Sequence, residues 1–476
     1  MDAATSQGPW LPILPDGDHA SVAGSVEQAI DELAAALASP EGSASAAGGS
    51  RAQALADGPA GLALFFHYLD RARPGQGHDE HALAHLETAI AATAETMATP
   101  ELYGGFSGVA WVLEHLTGRL LEPPAPGEED PGEEVAAALA AYLGHTPWLD
   151  DYDLISGLAG FGVWAVERMP RPRGEEAVEN VVRRLGELAE RGDGGITWRT
   201  PPERLLASEA ESFPQGNYNL GVAHGVPGVI GILGEIVAAG LAPRKAGQPL
   251  KAGEAGHAGE AGQAREAGRA GETGKAVDAR ELLAGAVEWL LGQRLPAGSP
   301  SVFPYSAAPG TEATPARLAW CYGDPGISVA LLSAARAAGE PEWERQAVAI
   351  ARAAAARPRD EGGVVDSGLC HGAAGLAHLY NRLFQATRDP LFKTEALAWI
   401  ERLLAQRRPG EGIAGWQAWR PIGEITGPDP ELGWVTDPGF LTGAAGIGLA
   451  LLGAVSPIEP AWDRVLLASA PPRRAS

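Results

Sequence analysis

Residues 368–383 read GLCHGAAGLAHLYNRL: two glycines in a G-x-x-G spacing open an apolar run, and a cysteine and a histidine stand directly before the first of them. The element recurs. Seven copies begin at Gly58, Gly105, Gly157, Gly225, Gly323, Gly372 and Gly443, each leading into a stretch such as GVPGVIGILGEI (225–236). They lie 47, 52, 68, 98, 49 and 71 residues apart, which makes a unit of about 50 residues with insertions in three places. A lone G-x-x-G is most simply a turn or a helix cap. Seven in register are a repeat architecture.

Between the copies run more polar stretches with apolar residues at three- and four-residue spacing: 26–38, 79–96, 132–143, 175–191, 277–293, 343–356 and 391–406. Seven apolar helices alternating with seven amphipathic ones predict two layers, an inner helix buried on most sides and an outer helix wet on one face. The expected fold is all-α, an α/α toroid of seven inner and seven outer helices within a single domain over 1–476. Periodicity alone does not close a ring, so an open helical solenoid is the competing arrangement. Glycine at the start of each inner helix has a steric reading, since a residue without Cβ permits unusual φ and close backbone approach.

The insertions differ in character. Residues 192–219 hold Thr, Trp, Pro and Gly without helical periodicity, and irregular or β-like structure near one mouth of the ring is expected there. Residues 247–275 repeat an A-G-x pattern with almost no large apolar side chain, the composition of a disordered loop. Residues 118–133 form a Pro-rich acidic connector, and 456–476 read as a frayed C-terminal tail.

Hydrophobic residues make up 45% of the chain, ample for a large core. The 60 acidic residues outnumber the 36 basic ones, a net charge of -24 that argues against nucleic acid, because counterion release needs clustered Lys and Arg. The N-terminal segment lacks a basic stretch followed by an apolar one, and no uninterrupted apolar run is long enough to span a bilayer. A cytoplasmic protein without a transmembrane segment is expected. Only two cysteines occur, too few for a disulfide framework.

Those two, Cys321 and Cys370, fall at equivalent places in the repeats, in WCYG (320–323) and LCHG (369–372). If repeats five and six are neighbours in a ring, Cys321, Cys370 and His371 face one space. Two thiolates and an imidazole suit Zn2+, and three protein ligands leave the fourth tetrahedral position open. Either cysteine alone is more simply a small buried apolar residue. His224 occupies the pre-glycine position of repeat four, in NLGVAHGVPG (219–228), where the bland role is a hydrogen bond at a helix start. Asp153, in DYDLISG (151–157), is either a helix N-cap or the partner that orients an imidazole. Arg317, in ARLAWCYG (316–323), is either a donor to an anionic intermediate or the partner of a nearby acid.

Other candidates carry less. His78, His81 and His85 have metal-pair spacing but sit on a polar outer helix, where a solvated face is the simpler reading. His67, His115 and His378 lie within inner helices as satisfied polar or rim groups, and Trp111 and Trp164 pack the core. No G-x-x-G copy ends as a phosphate loop does.

The seven glycine-opened repeats, with NLGVAHGVPG, WCYGDPG, GLCHGAAG and FLTGAAGIGLALL (440–452), resemble the lanthionine synthetase C-like family, specifically the stand-alone cyclases of class I lanthipeptide biosynthesis. The resemblance runs from Gly58 to Gly443, and the family's α/α barrel agrees with the repeat count. It implies Zn2+ held by Cys321, Cys370 and His371, His224 as the acid/base, and Asp153 and Arg317 in support. The segment before NLGVAHG is similar to the family's small insertion beside the active site, whereas 247–275 departs from the family pattern. The implied reaction adds a peptide cysteine thiolate to dehydroalanine or dehydrobutyrine, forming lanthionine or methyllanthionine rings. The implied partners are a dehydrated precursor peptide and the lanthipeptide dehydratase that makes it, and peripheral association with such a biosynthetic complex is compatible with a chain lacking membrane spans. Three alternatives compete: glutathione addition to dehydrated residues, as in the LanC-like members; a zinc-dependent protein prenyltransferase, which needs a basic diphosphate pocket that these helix starts scarcely offer; and a non-catalytic toroid that binds peptide.

Overall fold

The seven apolar runs are helices, and each begins directly after the first glycine of its G-x-x-G element. The computed structural model describes residues 10–14, 20–44, 51–96, 98–125, 127–205, 207–240, 277–422 and 431–470. In chain order, the outer helix α1 (Ala20–Leu37) and the short α2 (Pro40–Ser43) precede the inner helix α3 (Pro59–Ala72). Outer and inner helices then alternate through α4 (His78–Glu95), α5 (Phe106–Leu116), α6 (Glu133–Leu143), α7 (Leu158–Arg168) and α8 (Gly174–Leu188). After the short α9 (Ala207–Ser212) the alternation resumes with α10 (Val226–Ala238), α11 (Ala279–Gly292), α12 (Asp324–Ala338), α13 (Pro341–Ala356), α14 (Ala373–Thr387), α15 (Pro390–Ala405) and α16 (Ala444–Val455). The layers follow from composition: α10 and α16 are buried along almost their whole length, whereas α13 buries only the stripe Ala347, Ile350, Ala351 and Ala354.

Each inner helix packs against the next, and α16 packs against α3, so the ring is closed and the open solenoid is excluded. The seam is tight: a Cβ on Gly448 of α16 would lie 2.4 Å from the Phe65 ring of α3. Each inner helix also packs on the outer helix that follows it in the chain. Among the described residues no outer helix follows α16, and α1 takes that place. The resulting α/α toroid is the architecture expected from the repeats.

The glycines act mainly through close approach. In all seven copies the second glycine faces the backbone carbonyl six residues earlier, and an added Cβ would come within 2.0 Å of it at Gly375 and 2.6 Å at Gly61. Unusual φ explains little, because of the seven first glycines only Gly323 has positive φ, at 140°. The loops that fold back over the helix starts are joined by a belt of backbone hydrogen bonds. Ala56 N donates to Tyr103 O, Tyr103 N to Ile155 O, Leu154 N to Ala223 O, and Ala223 N to Cys321 O. Cys321 N then donates to Cys370 O, Cys370 N to Leu441 O, and Leu441 N back to Ala56 O. The belt fixes the seven pre-glycine positions in one register at one face of the ring.

Strands occur only as two-stranded antiparallel pairs among the described residues: β1 (Glu190–Gly192) with β2 (Gly195–Thr197), β3 (Tyr218–Asn219) with β4 (Ser306–Ala307), and β5 (Ala418–Pro421) with β6 (Leu432–Val435). Within 192–219 lie β2, a 3-10 turn at Pro202–Arg204, α9 and β3, a mixture of irregular and short β structure. The segment 247–275 lies outside the described residues.

The frayed tail expected over 456–476 is corrected for its described part, which ends at Ala470. A 3-10 turn at Ala461–Leu466 enters the middle of the ring, burying Trp462, Val465, Leu466 and Leu467. Tyr103 Oη donates to Val465 O at 2.9 Å, Trp320 Nε1 to Leu466 O at 2.8 Å, and Arg464 pairs with Glu167 at 3.1 Å. Asp463, wholly buried, accepts from Arg382 Nη2 at 2.9 Å and meets His378 Nε2 at 2.8 Å. Its apolar side chains replace solvent in the ring's centre, which favours order over fraying.

Candidate metal centre

Cys321 and Cys370 are both belt residues, two before their glycines, and His371 follows at the next position. Because the belt bonds these two loops directly, the sulfurs and the imidazole converge: the ligand atoms of Cys321, Cys370 and His371 lie within 4.8 Å of one another. No other such group of three occurs among the described residues. The donors suit a metal. His371 Nδ1 is buried with no hydrogen-bond partner, while Nε2 lies 3.6 Å from Asp366 Oδ2. That carboxylate is fully buried and also accepts the Trp419 amide at 3.1 Å. A carboxylate on one imidazole nitrogen leaves the other as the ligand atom, as second partners of metal-bound histidines commonly do. Two thiols and one imidazole suit Zn2+ in number and softness.

The surrounding charges prepare the sulfurs. Arg317 Nη2 donates to Cys321 Sγ at 3.5 Å, so the arginine meets a sulfur rather than a nearby acid. The neighbouring Cys370, then His371 and Arg317, hold the Cys321 thiol well below its ordinary value against the opposing effect of burial.

On the adjacent loop, His224 Nδ1 and Asp153 Oδ2 are 2.5 Å apart. Asp153 is nearly buried at 10% side-chain exposure, but His224 remains 44% exposed. Crowded by protein yet open to water, His224 stands at the exposed side of the centre rather than in the core. Burial lowers its pKa, but the Asp153 hydrogen bond and the charges of Asp153, Cys321 and Asp151 outweigh burial and leave it raised. Tyr322, in the pre-glycine place of repeat five, faces His224 with ring centroids 6.3 Å apart and takes a 2.8 Å hydrogen bond from Asn219. Sequence reasoning did not single out Tyr322, although it shares its repeat position with His224 and His371. Nor did it find Asp366.

The six other candidate histidines keep out of the centre. His78, His81 and His85 stack on Phe66 between α3 and α4, at centroid distances of 6.3, 4.9 and 5.5 Å, so they are half-buried rather than a solvated face. His115 is satisfied by Tyr68 and Glu167. His378 meets Asp463 through Nε2, but its Nδ1, like His67 Nε2, is buried without a hydrogen-bond partner.

The model of the lanthionine synthetase C-like protein family matches residues 50–240 and 275–467. The chain belongs to this family. A solved structure described as nisin cyclase is similar over 94% of this chain and 98% of its own, with a TM-score of 0.65 and 19% sequence identity. At that identity the likeness speaks for a shared fold, the lanthionine synthetase C-like toroid. Cys321, Cys370, His371 and His224 all lie inside the matched residues.

Proposed function

We propose that this protein is a zinc-dependent lanthipeptide cyclase, closing thioether rings in a ribosomally made peptide that already carries dehydroalanine or dehydrobutyrine. The observation that carries the reading is the convergence of Cys321, Cys370 and His371 beside a His224–Asp153 pair on the neighbouring loop. Family membership supports the same reaction class. In this reading Cys321, Cys370 and His371 hold Zn2+, and Asp366 keeps the His371 ring oriented. A Zn2+ ion held there would supply the positive charge that lets a peptide thiol, ordinarily of pKa about 8.5, ionise near neutrality.

The peptide sulfur attacks the β-carbon of the dehydro residue. A C–S bond forms, the alkene π pair moves to the α-carbon and its carbonyl as an enolate, and the thiol proton is released. His224, protonated with the help of Asp153, gives a proton to the α-carbon and is reprotonated from water, which takes up the thiol proton, so the addition is balanced without an oxidant or reductant. Arg317 offsets the charge at Cys321, and its other N–H groups are the positive donors for the enolate oxygen. The alkene must come from dehydration of serine or threonine, which makes a lanthipeptide dehydratase the natural partner. No helix among the described residues is long and apolar enough to cross a membrane, so any membrane association would be peripheral.

The test joins metal analysis to ring closure. The purified protein is expected to hold about one zinc per chain, consistent with one catalytic site. It should remove the free thiol of a peptide with one cysteine and one dehydroalanine, without glutathione, as read by thiol alkylation and mass spectrometry. Cys321→Ala and Cys370→Ala should lose both zinc and ring closure. His224→Ala should keep zinc and lose turnover by about 100-fold. A metal-free wild type, or full activity in a cysteine variant, would defeat the reading.

A further inference from the structure

The β5–β6 hairpin carries a feature that the chemistry above leaves unused. Seven large apolar residues are exposed among the described residues, and four of them, Val365, Ile422, Leu432 and Trp434, gather on or beside this hairpin. Such a concentration marks an interaction site more often than chance exposure does. Beside it opens a cavity of about 240 Å³, lined by Val365, Asp366, Trp416 and Trp434 among others.

Among the described residues the outer edge of β6 is also unpaired. Trp419 sends its amide to Asp366, away from β6, so Trp419 and Trp434 form a pair without ladder hydrogen bonds. By the same parity, Trp434 and Leu432 turn their N–H and C=O groups outward from β6, where no described backbone group meets them. An unpaired edge with exposed apolar side chains is a template for an added strand.

Position and charge select what binds. The hairpin is tied directly to the metal centre, because Asp366 holds the Trp419 amide and faces His371. With a net charge of -24, a second copy or an anionic surface is repelled, and the exposed apolar side chains of Ile422, Leu432 and Trp434 match an uncharged apolar segment. We propose that an extended, uncharged apolar segment of the substrate peptide adds as a strand to the outer edge of β6, with Leu432 and Trp434 beneath it, so that the adjoining cysteine is delivered to the metal centre. This rests on the cyclase reading.

The test uses two fluorescein-labelled peptides with a cysteine and an alanine in place of dehydroalanine, so that neither reacts. One has an alternating Val/Thr flank and the other an alternating Asn/Ser flank, so that neither flank is charged. Fluorescence anisotropy with the full-length, zinc-loaded protein should show about tenfold tighter binding of the Val/Thr peptide. Leu432→Pro, which removes an outward N–H, and Trp434→Ser, which removes the apolar surface, should each abolish that preference with zinc content unchanged. A preference kept in both variants, or absent in the wild type, overturns strand addition. So does a wild-type dimer, seen by sedimentation, that Leu432→Pro dissociates. The dehydroalanine form of the Val/Thr peptide separates the two readings: ring closure with no role for β6 sinks this proposal alone, and an intact β6 preference without ring closure sinks the cyclase reading.

Discussion

Asp153 Oδ1 accepts the Ser156 amide at 2.8 Å while Oδ2 holds His224 Nδ1, so a single carboxylate both caps a turn and partners an imidazole. The bond lies in the loop before α7, not at the helix N-cap, which is Gly157. Since Asp153 keeps the His224 pKa above its ordinary value, the acid form survives to higher pH than an isolated imidazole would allow. Asp153→Asn removes the charge and should therefore move the alkaline limb of the kcat profile to lower pH, with kcat at pH 8 about 10- to 100-fold below wild type. An alkaline limb that stays in place would mean that another group is the acid. The residues most legible in sequence were those at equivalent repeat positions: Cys321, Cys370, His371 and His224 stand before glycines, and the fold aligns those glycines. Asp366 carried no such mark. Its role depends on a buried approach to His371 that no spacing encodes.

At the scale of elements, legibility followed sterics shared by every repeat. The second glycine of each copy passes a loop carbonyl so closely that no side chain fits, which is why the signature persists while the helices around it vary. Gly375→Ala would set a Cβ 2.0 Å from Leu369 O, and since both are backbone-fixed the loop bearing Cys370 must shift. A loss of about 2–4 kcal/mol in urea unfolding is expected, together with weaker zinc retention. Gly24→Ala is the contrast: on α1 nothing lies within 4 Å of the new Cβ, and a gain of about 0.5–1 kcal/mol is expected from helix propensity. Equal effects at the two sites would contradict the steric account. The β5–β6 hairpin escaped sequence reading because AWRP (418–421) and LGWV (432–435) are short, contain Pro421 and Gly433, and lack alternation. What holds them is tertiary, the Trp419–Trp434 contact at 5.3 Å and the bond to Asp366.

Closure of the whole ring depends on both chain ends, and neither end has a repeat signature. Helix α1 fills the outer place beside α16, Trp10 Nε1 donates to Gly453 O at 2.8 Å, and the segment through Ala470 fills the centre. The Pro-containing stretch over 456–470 shows no periodicity, so sequence alone offers a tail; the interior that accepts its side chains exists only once seven inner helices have assembled. Asp463 is the residue on which this insertion turns. Arg382 is fully buried against it, and Arg382 and His378 hold the Asp463 pKa below its ordinary value even though burial alone would raise it. Asp463→Asn keeps the shape but takes away the buried carboxylate, leaving the half-exposed Glu459 as the acidic hydrogen-bond partner of Arg382 among the described residues. Removing one member of a buried ion pair costs about 3–5 kcal/mol, and a loss of that size is expected in urea unfolding followed by tryptophan fluorescence. Because the folded-state pKa is depressed, the wild-type advantage should be complete above the ordinary carboxylate range and shrink as pH falls through and below it. A variant as stable as wild type at pH 7 would show that the C-terminal segment lines the ring without holding it together.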